Sequence, residues 1–151
     1  MEDKAKEIFK RLLEENTLCV LATATLDGKP EAATIEYVAD ADGNLYFETF
    51  PKYRKYANLK SNPKASVVIT QDPHTIQMDG SATELQGKDA DEAKRRILAR
   101  HGSSGYYDDP QIKFFRFTPT WIRMLVEAKW PPKYVMIKGE GPKGSHTLHE
   151  S

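Results

Sequence analysis

Thr17-Leu-Cys-Val-Leu-Ala-Thr-Ala-Thr25, then Asp27-Gly28, then Pro30 to Val38, is the passage that decides the fold. The first nine residues carry no charge and are rich in β-branched and apolar side chains, which suits a strand buried on at least one face. Asp-Gly is a strong hairpin signal, because both central residues of a type I′ turn need positive φ. Pro30 to Val38 is therefore the returning strand. Asp40-Ala41-Asp42-Gly43 makes a second turn and Asn44 to Thr49 a third strand, so the three are expected to form an antiparallel meander.

The pattern extends in both directions. Upstream, Ala5, Ile8, Phe9, Leu12 and Leu13 form one apolar helical stripe, with Asn16 as its stop. Downstream, Pro51 to Asn62 has helical spacing and ends at Asn62-Pro63, because a residue before proline avoids the α region. Ala65 to Thr70 and Thr75 to Leu85 are strands separated by Asp72-Pro73, and Gly80 is a candidate bulge or barrel corner. A helix is predicted over about 89–100, a loop over 101–107, and two last strands, Phe114 to Thr118 and Trp121 to Ala128, separated at Pro119. From Trp130 onward no period is visible. Residues 1–138 are expected to form a single domain, and residues 139–151 a mobile tail. Short strands joined by hairpin turns predict a mainly β protein, a small antiparallel barrel with peripheral helices.

The 151 residues carry 22 basic and 22 acidic side chains, a formal net charge of zero, which disfavours a generally basic nucleic-acid binder. The single cysteine, Cys19, forms no intrachain disulfide, excludes a cysteine-based zinc site, and is expected to be a buried, inert thiol. No apolar run approaches the roughly 20 residues of a membrane span, and the charged start is unlike a signal peptide, so no membrane association and a cytoplasmic location are expected. His146 and His149 have metal-like spacing but no third ligand nearby. No nucleophile elbow or glycine-rich phosphate loop occurs.

Residues 49–71 hold Lys52, Arg54, Lys55, Lys60 and Lys64 and no acidic residue before Asp72. Three of these cations open the predicted helix, the end where the dipole disfavours positive charge. A bound phosphate would explain them, since helix N-termini suit anions and arginine and lysine add charge-assisted contacts. A solvated basic face is the alternative. Tyr46, Phe47 and Phe50 could flank a planar ring or belong to the core, and Thr49 could bond a phosphate or cap the helix.

The runs Cys19-Val20-Leu21-Ala22-Thr23, Asp27-Gly28-Lys29-Pro30 and Leu45-Tyr46-Phe47-Glu48-Thr49, followed by Arg54-Lys55 with Asn58-Leu59 and Asn62-Pro63, resemble the pyridoxamine 5′-phosphate oxidase-like split-barrel flavoproteins over roughly residues 5–127. The resemblance implies a six-stranded, Greek-key split barrel that forms a homodimer, with FMN in clefts at the dimer interface and a flavin-dependent oxidoreductase activity on a small molecule. In that family frame Arg54 and Lys55 would hold the FMN phosphate, and Thr49 and Glu48 would lie beside the ribityl chain or ring. The backbone of Ala32, Ala33, Thr34 and Ile35 would run along the isoalloxazine, and Gln77 would contact the flavin, from the neighbouring subunit. Two departures stand out. Ala32 replaces an arginine of the phosphate cluster, and residues 110–151 show no counterpart of the segment that holds vitamin B6, so pyridoxamine phosphate oxidation itself is not expected. Glu48 adds a negative charge beside the site. The deazaflavin F420, a non-catalytic flavin or haem carrier or stress sensor, and a nucleic-acid-binding barrel are the competing readings, the last the weakest.

Overall fold

A computed structural model describes residues 2–103 and 105–141. The chain runs α1 (Glu2–Glu15), β1 (Leu18–Ala24), β2 (Pro30–Glu36), β3 (Val38–Ala39), β4 (Leu45–Thr49), α2 (Arg54–Ser61), β5 (Lys64–Gln71), β6 (His74–Glu84), α3 (Gly87–His101), a 3₁₀ turn at Gly105–Asp108, β7 (Lys113–Glu127) and β8 (Lys133–Lys138). All the strands belong to one antiparallel sheet in the order β2-β1-β5-β6-β7-β4-β3, with β8 on the other side of β7. The sheet curls into a half-barrel flanked by three helices, the expected split-barrel architecture.

The hairpin over Asp27-Gly28 is present, with β1 and β2 paired from Leu18↔Glu36 to Ala24↔Pro30, but its turn is not the expected type I′: Gly28 has φ 89° while Asp27 has negative φ, and the loop is closed by Thr25 N–H donating to the Lys29 carbonyl oxygen. The second turn is also present. Asp40 accepts hydrogen bonds from the Asp42 and Asn44 amides, the Asn44 side chain and the Tyr46 hydroxyl, so one carboxylate organises the whole connection. The meander holds only in part: the returning strand breaks at Tyr37, and its continuation, β3, pairs with β4 through Val38↔Tyr46. β4 pairs with β7 and β3 rather than with β2, and β1 takes β5 as its second neighbour. These long-range pairings are the Greek-key crossovers, and a local pattern carries no information about them.

Two further expectations are corrected. Pro119 does not divide the final stretch into separate strands: β7 runs unbroken through it, because Pro119 sits opposite Gly80 at a bulge where no ladder N–H is required. The stretch after Trp130 is not without structure either. β8 pairs with β7, and its Val135 and Ile137 pack against the main core next to α1, so the strand is half-buried along its length instead of alternating. Gly139, Glu140 and Gly141 are among the described residues, but the rest of the expected mobile tail, with His146 and His149, lies outside them.

The main core joins Phe9, Leu12 and Leu13 of α1 to inward residues of the sheet such as Leu21, Val67, Ile76, Phe115 and Phe117. A second, smaller core forms where Ala93 and Ile97 of α3 and Tyr107 of the 3₁₀ turn pack with Tyr46 of β4 and Phe114 of β7. β4 is thus buried on both sides, and its last two residues, Glu48 and Thr49, emerge where the two cores meet. Cys19 is 3% exposed, and burial pushes its thiol up to about 12, the inert state expected of it.

Candidate functional site

At the end of β4 the sheet opens into a cavity of about 450 Å³, a size typical of small-ligand sites. Its walls come from five places: Leu18 of β1; Thr34, Ile35 and Glu36 of β2; Glu48 and Thr49 of β4; Phe50, Tyr53 and Lys55 around the start of α2; and His101, Gly102, Tyr106 and Tyr107 after α3. Strand alternation explains the β2 contribution. Thr34 and Glu36 point to the outer face and Ile35 to the core, so the strand end presents both at the rim.

The α2 start is built as a cationic mouth. The helix begins at Arg54, three residues after the predicted start at Pro51, so Lys52 lies outside it. Tyr53 occupies the cap position with no side-chain hydrogen bond, and no acidic residue lies in the first turn. Asn58 and Leu59 anchor the helix from below, with the Asn58 amide donating to Thr23 Oγ1 at 3.0 Å. Lys55 Nζ lies 4.9 Å from the Tyr53 ring centroid, and Phe50 makes ring contacts with both Tyr53 and Tyr106. Among the described residues Lys55 is the one lysine or arginine in the wall. Arg54 points elsewhere: its Nε pairs with Glu31 Oε2 at 2.6 Å while its side chain is 77% exposed.

The inner end is polar in a different sense. Thr49 is 3% exposed, and among the described residues neither its Oγ1 nor the solvent-shielded Oε2 of Glu48 has a hydrogen-bond partner. Buried polar atoms are normally paired, so two orphans in one cavity wall mark a place a ligand completes. Burial pushes the Glu48 carboxyl above the usual carboxylate range, and the nearby Glu36 carboxylate adds to this against the opposing pull of its own backbone N–H, His101 and Lys55. Burial and the same two carboxylates push the Tyr107 hydroxyl up to about 12. His101 closes the floor. Its Nδ1 lies 3.0 Å from Glu36 Oε2 and its Nε2 2.8 Å from the Tyr37 carbonyl oxygen. Both ring nitrogens are thus engaged by the protein itself.

Of the residues singled out in the sequence, Thr34, Ile35, Glu48, Thr49 and Lys55 meet in this cavity. Arg54, Ala32, Ala33 and Gln77 lie outside its lining. Gln77 sits on the exposed outer face of β6, where its Oε1 accepts from Arg123 at 2.8 Å. Glu36, His101, Tyr106 and Tyr107 were not anticipated. Glu36 was within reach of the sequence, being two residues beyond Thr34 on the same strand; the other three depend on where α3 ends. The cavity fits a phosphorylated ring compound by its size, its uncapped helix start with Lys55, and its orphaned polar atoms. It departs from a purely cationic phosphate site in holding two carboxylates.

The sequence pattern of the pyridoxamine 5′-phosphate oxidase family matches residues 5–126. The chain belongs to that family. It is 30% identical over 103 residues to a pyridoxine/pyridoxamine 5′-phosphate oxidase of Salinibacter ruber, covering 67% of this chain and 47% of that one. It is 26% identical over 104 residues to the chloroplastic non-canonical heme oxygenase HOZ of Arabidopsis thaliana, covering 66% of this chain and 32% of that one. The matches therefore span less than half the length of these two curated relatives. In structure it is similar to a pyridoxamine 5′-phosphate oxidase-related, FMN-binding protein of Nostoc punctiforme, with a TM-score of 0.64 at 15% identity, covering 85% of this chain and 88% of that one. Among the described residues no group of three or more His, Cys, Asp or Glu is placed to hold a metal ion, and no helix is long and apolar enough to cross a membrane.

Proposed function

We propose that this family member binds FMN in the cavity at the end of β4, as a homodimer, and serves as a flavin-dependent oxidoreductase. The observation that carries the reading is the pairing of a cation with no carboxylate bonded to it among the described residues, Lys55, at an uncapped helix start with two orphaned polar side chains, Thr49 and Glu48, deeper in the same cavity. Lys55 and the first amides of α2 would take the phosphate, and Thr49 a hydroxyl or carbonyl of the ligand. The aromatic rim of Phe50, Tyr53 and Tyr106 would cover a planar ring. Bound FMN supplies hydride or electron transfer, while the chain supplies grip, orientation and shielding from water.

Haem carriage is the second reading, favoured by the likeness to the heme oxygenase relative. His101 counts against it at this site, because both its ring nitrogens are engaged and its side chain is only 8% exposed. The visible spectrum of the purified protein, followed by titration with FMN, haem and F420, tests the assignment. Flavin bands and saturable FMN binding are expected. A protein that ignores FMN but retains haem or a deazaflavin would overturn it.

A further inference from the structure

Glu48 is the element of the cavity that a phosphate grip does not explain. Its Oε2 is shielded from solvent, has no hydrogen-bond partner among the described residues, and belongs to a residue that lines the cavity. Its own backbone N–H supports the carboxylate, but an ionised Oε2 held this way has lost water without gaining a partner. The charged and titratable groups around it are Glu36 from β2, His101 from the end of α3, Lys55 from α2 and Tyr107 from the 3₁₀ turn. None of them completes it. Both nitrogens of His101 are already taken by Glu36 and the Tyr37 carbonyl, Lys55 rests over the Tyr53 ring, and Glu36 is a second negative charge in the same wall.

We infer that Glu48 enters the ligand complex as an uncharged carboxyl whose Oε2–H donates to an acceptor on the ligand ring, so that the ligand and one proton bind together. The inference rests on the flavin reading and adds the chemistry of the ring the site selects. That ring is a heterocycle whose edge carries carbonyl oxygens or unprotonated ring nitrogens, as isoalloxazine does. The proton comes from solvent, stays on Glu48 and is shared with the acceptor; no bond in the ligand breaks. In its ionised form Glu48 would set a lone pair against the same acceptor, in a wall that already carries the Glu36 carboxylate. The raised affinity of this carboxyl for protons in the free protein points the same way.

The test is FMN binding by fluorescence quenching from pH 5.5 to 9, for the wild type and Glu48→Gln. Calorimetry of the wild type near neutral pH, in buffers of different ionisation enthalpy, accompanies it. The wild type is expected to take up protons on binding, and its affinity to fall as pH rises, approaching about tenfold per pH unit beyond the titration of Glu48. The glutamine amide donates without needing a proton, so the variant should lose that contribution to the slope and bind more tightly than the wild type at pH 8.5. Glu36, His101, Lys55, Tyr107 and the ligand phosphate are common to both proteins, so the difference between the two slopes isolates Glu48. Absence of proton uptake by the wild type, or equal slopes in both proteins, would overturn the inference while leaving the flavin reading intact. Failure of both proteins to bind FMN at any pH would overturn the flavin reading and the inference with it.

Discussion

Two cations adjacent in sequence, Arg54 and Lys55, are placed very differently, and their substitution should show it. Arg54 is mostly in water and tied to Glu31, whereas Lys55 faces the cavity with no carboxylate bonded to it. An exposed ion pair contributes little, about 0–1 kcal/mol, but a charge-assisted contact to a bound phosphate contributes roughly 1.5–3 kcal/mol. Lys55→Ala is therefore expected to weaken FMN binding by about tenfold or more, and Arg54→Ala by a few-fold at most, in the same titration. Equal losses would mean that Arg54 swings into the site on binding. Glu48 yields a prediction for the unliganded protein. Its native carboxyl titrates above its unfolded value of 4.5, so its protonated form is the one the fold favours. Below pH 4.5 both states are protonated and there is no penalty. As pH rises through the native titration, the folded chain alone must ionise a buried acid, and stability is lost. Glu48→Gln should raise the melting temperature at pH 7–8, where each kcal/mol is worth roughly 2–4 °C in a chain this size, and the gain should vanish below about pH 4.5.

The long strands β6 and β7 keep their pairing through a close approach in their middle, at Gly80. A Cβ there would lie 2.2 Å from the Thr118 carbonyl oxygen and 2.9 Å from Pro119 Cα, both backbone atoms of the neighbouring strand. The bulge that lets β7 carry Pro119 thus depends on a residue without a side chain. Gly80→Ala is expected to cost about 1–3 kcal/mol, read as a fall in urea midpoint with an unchanged slope. Such local signals were legible in the sequence. Asp27-Gly28 announced the hairpin, Asn62-Pro63 the end of α2, and Gly80 the bulge. The candidate site was legible to the same extent: Glu48, Thr49 and Lys55 are close in sequence and stay close in space. What was illegible depends on distant pairing. Nothing between Leu45 and Thr49 says that β7 is their partner, and nothing near His101 says that its ring will meet Glu36, 65 residues earlier. β8 was missed because helix α1 on one side and the sheet on the other leave it without an alternating pattern.

The outer face of the curled sheet bears on the whole assembly. Directly opposed residues share a face, so the register places Thr34, Val20, Val68, Gln77 and Arg123 in one row across five strands. Ala32, Ala22 and Ser66 lie beside it, and Leu18 and Val20 are 53% and 40% exposed. Large aliphatic side chains grouped with small ones on a sheet face suit a protein–protein contact better than open water. The face also reaches the cavity, because Leu18 and Thr34 belong to both. A second copy seated there would roof the mouth near Lys55, and its Gln77 would come from the same kind of surface. Val20→Lys puts a charge in the middle of the row without touching the core or the cavity wall. Light scattering of the eluting protein is expected to give a dimer for the wild type and a monomer for the variant, with circular dichroism unchanged. If the partner completes the site, FMN affinity should fall by at least about tenfold along with the dimer. A monomeric variant that keeps full affinity would show that one chain holds its ligand alone; a variant that stays dimeric would move the contact to another face.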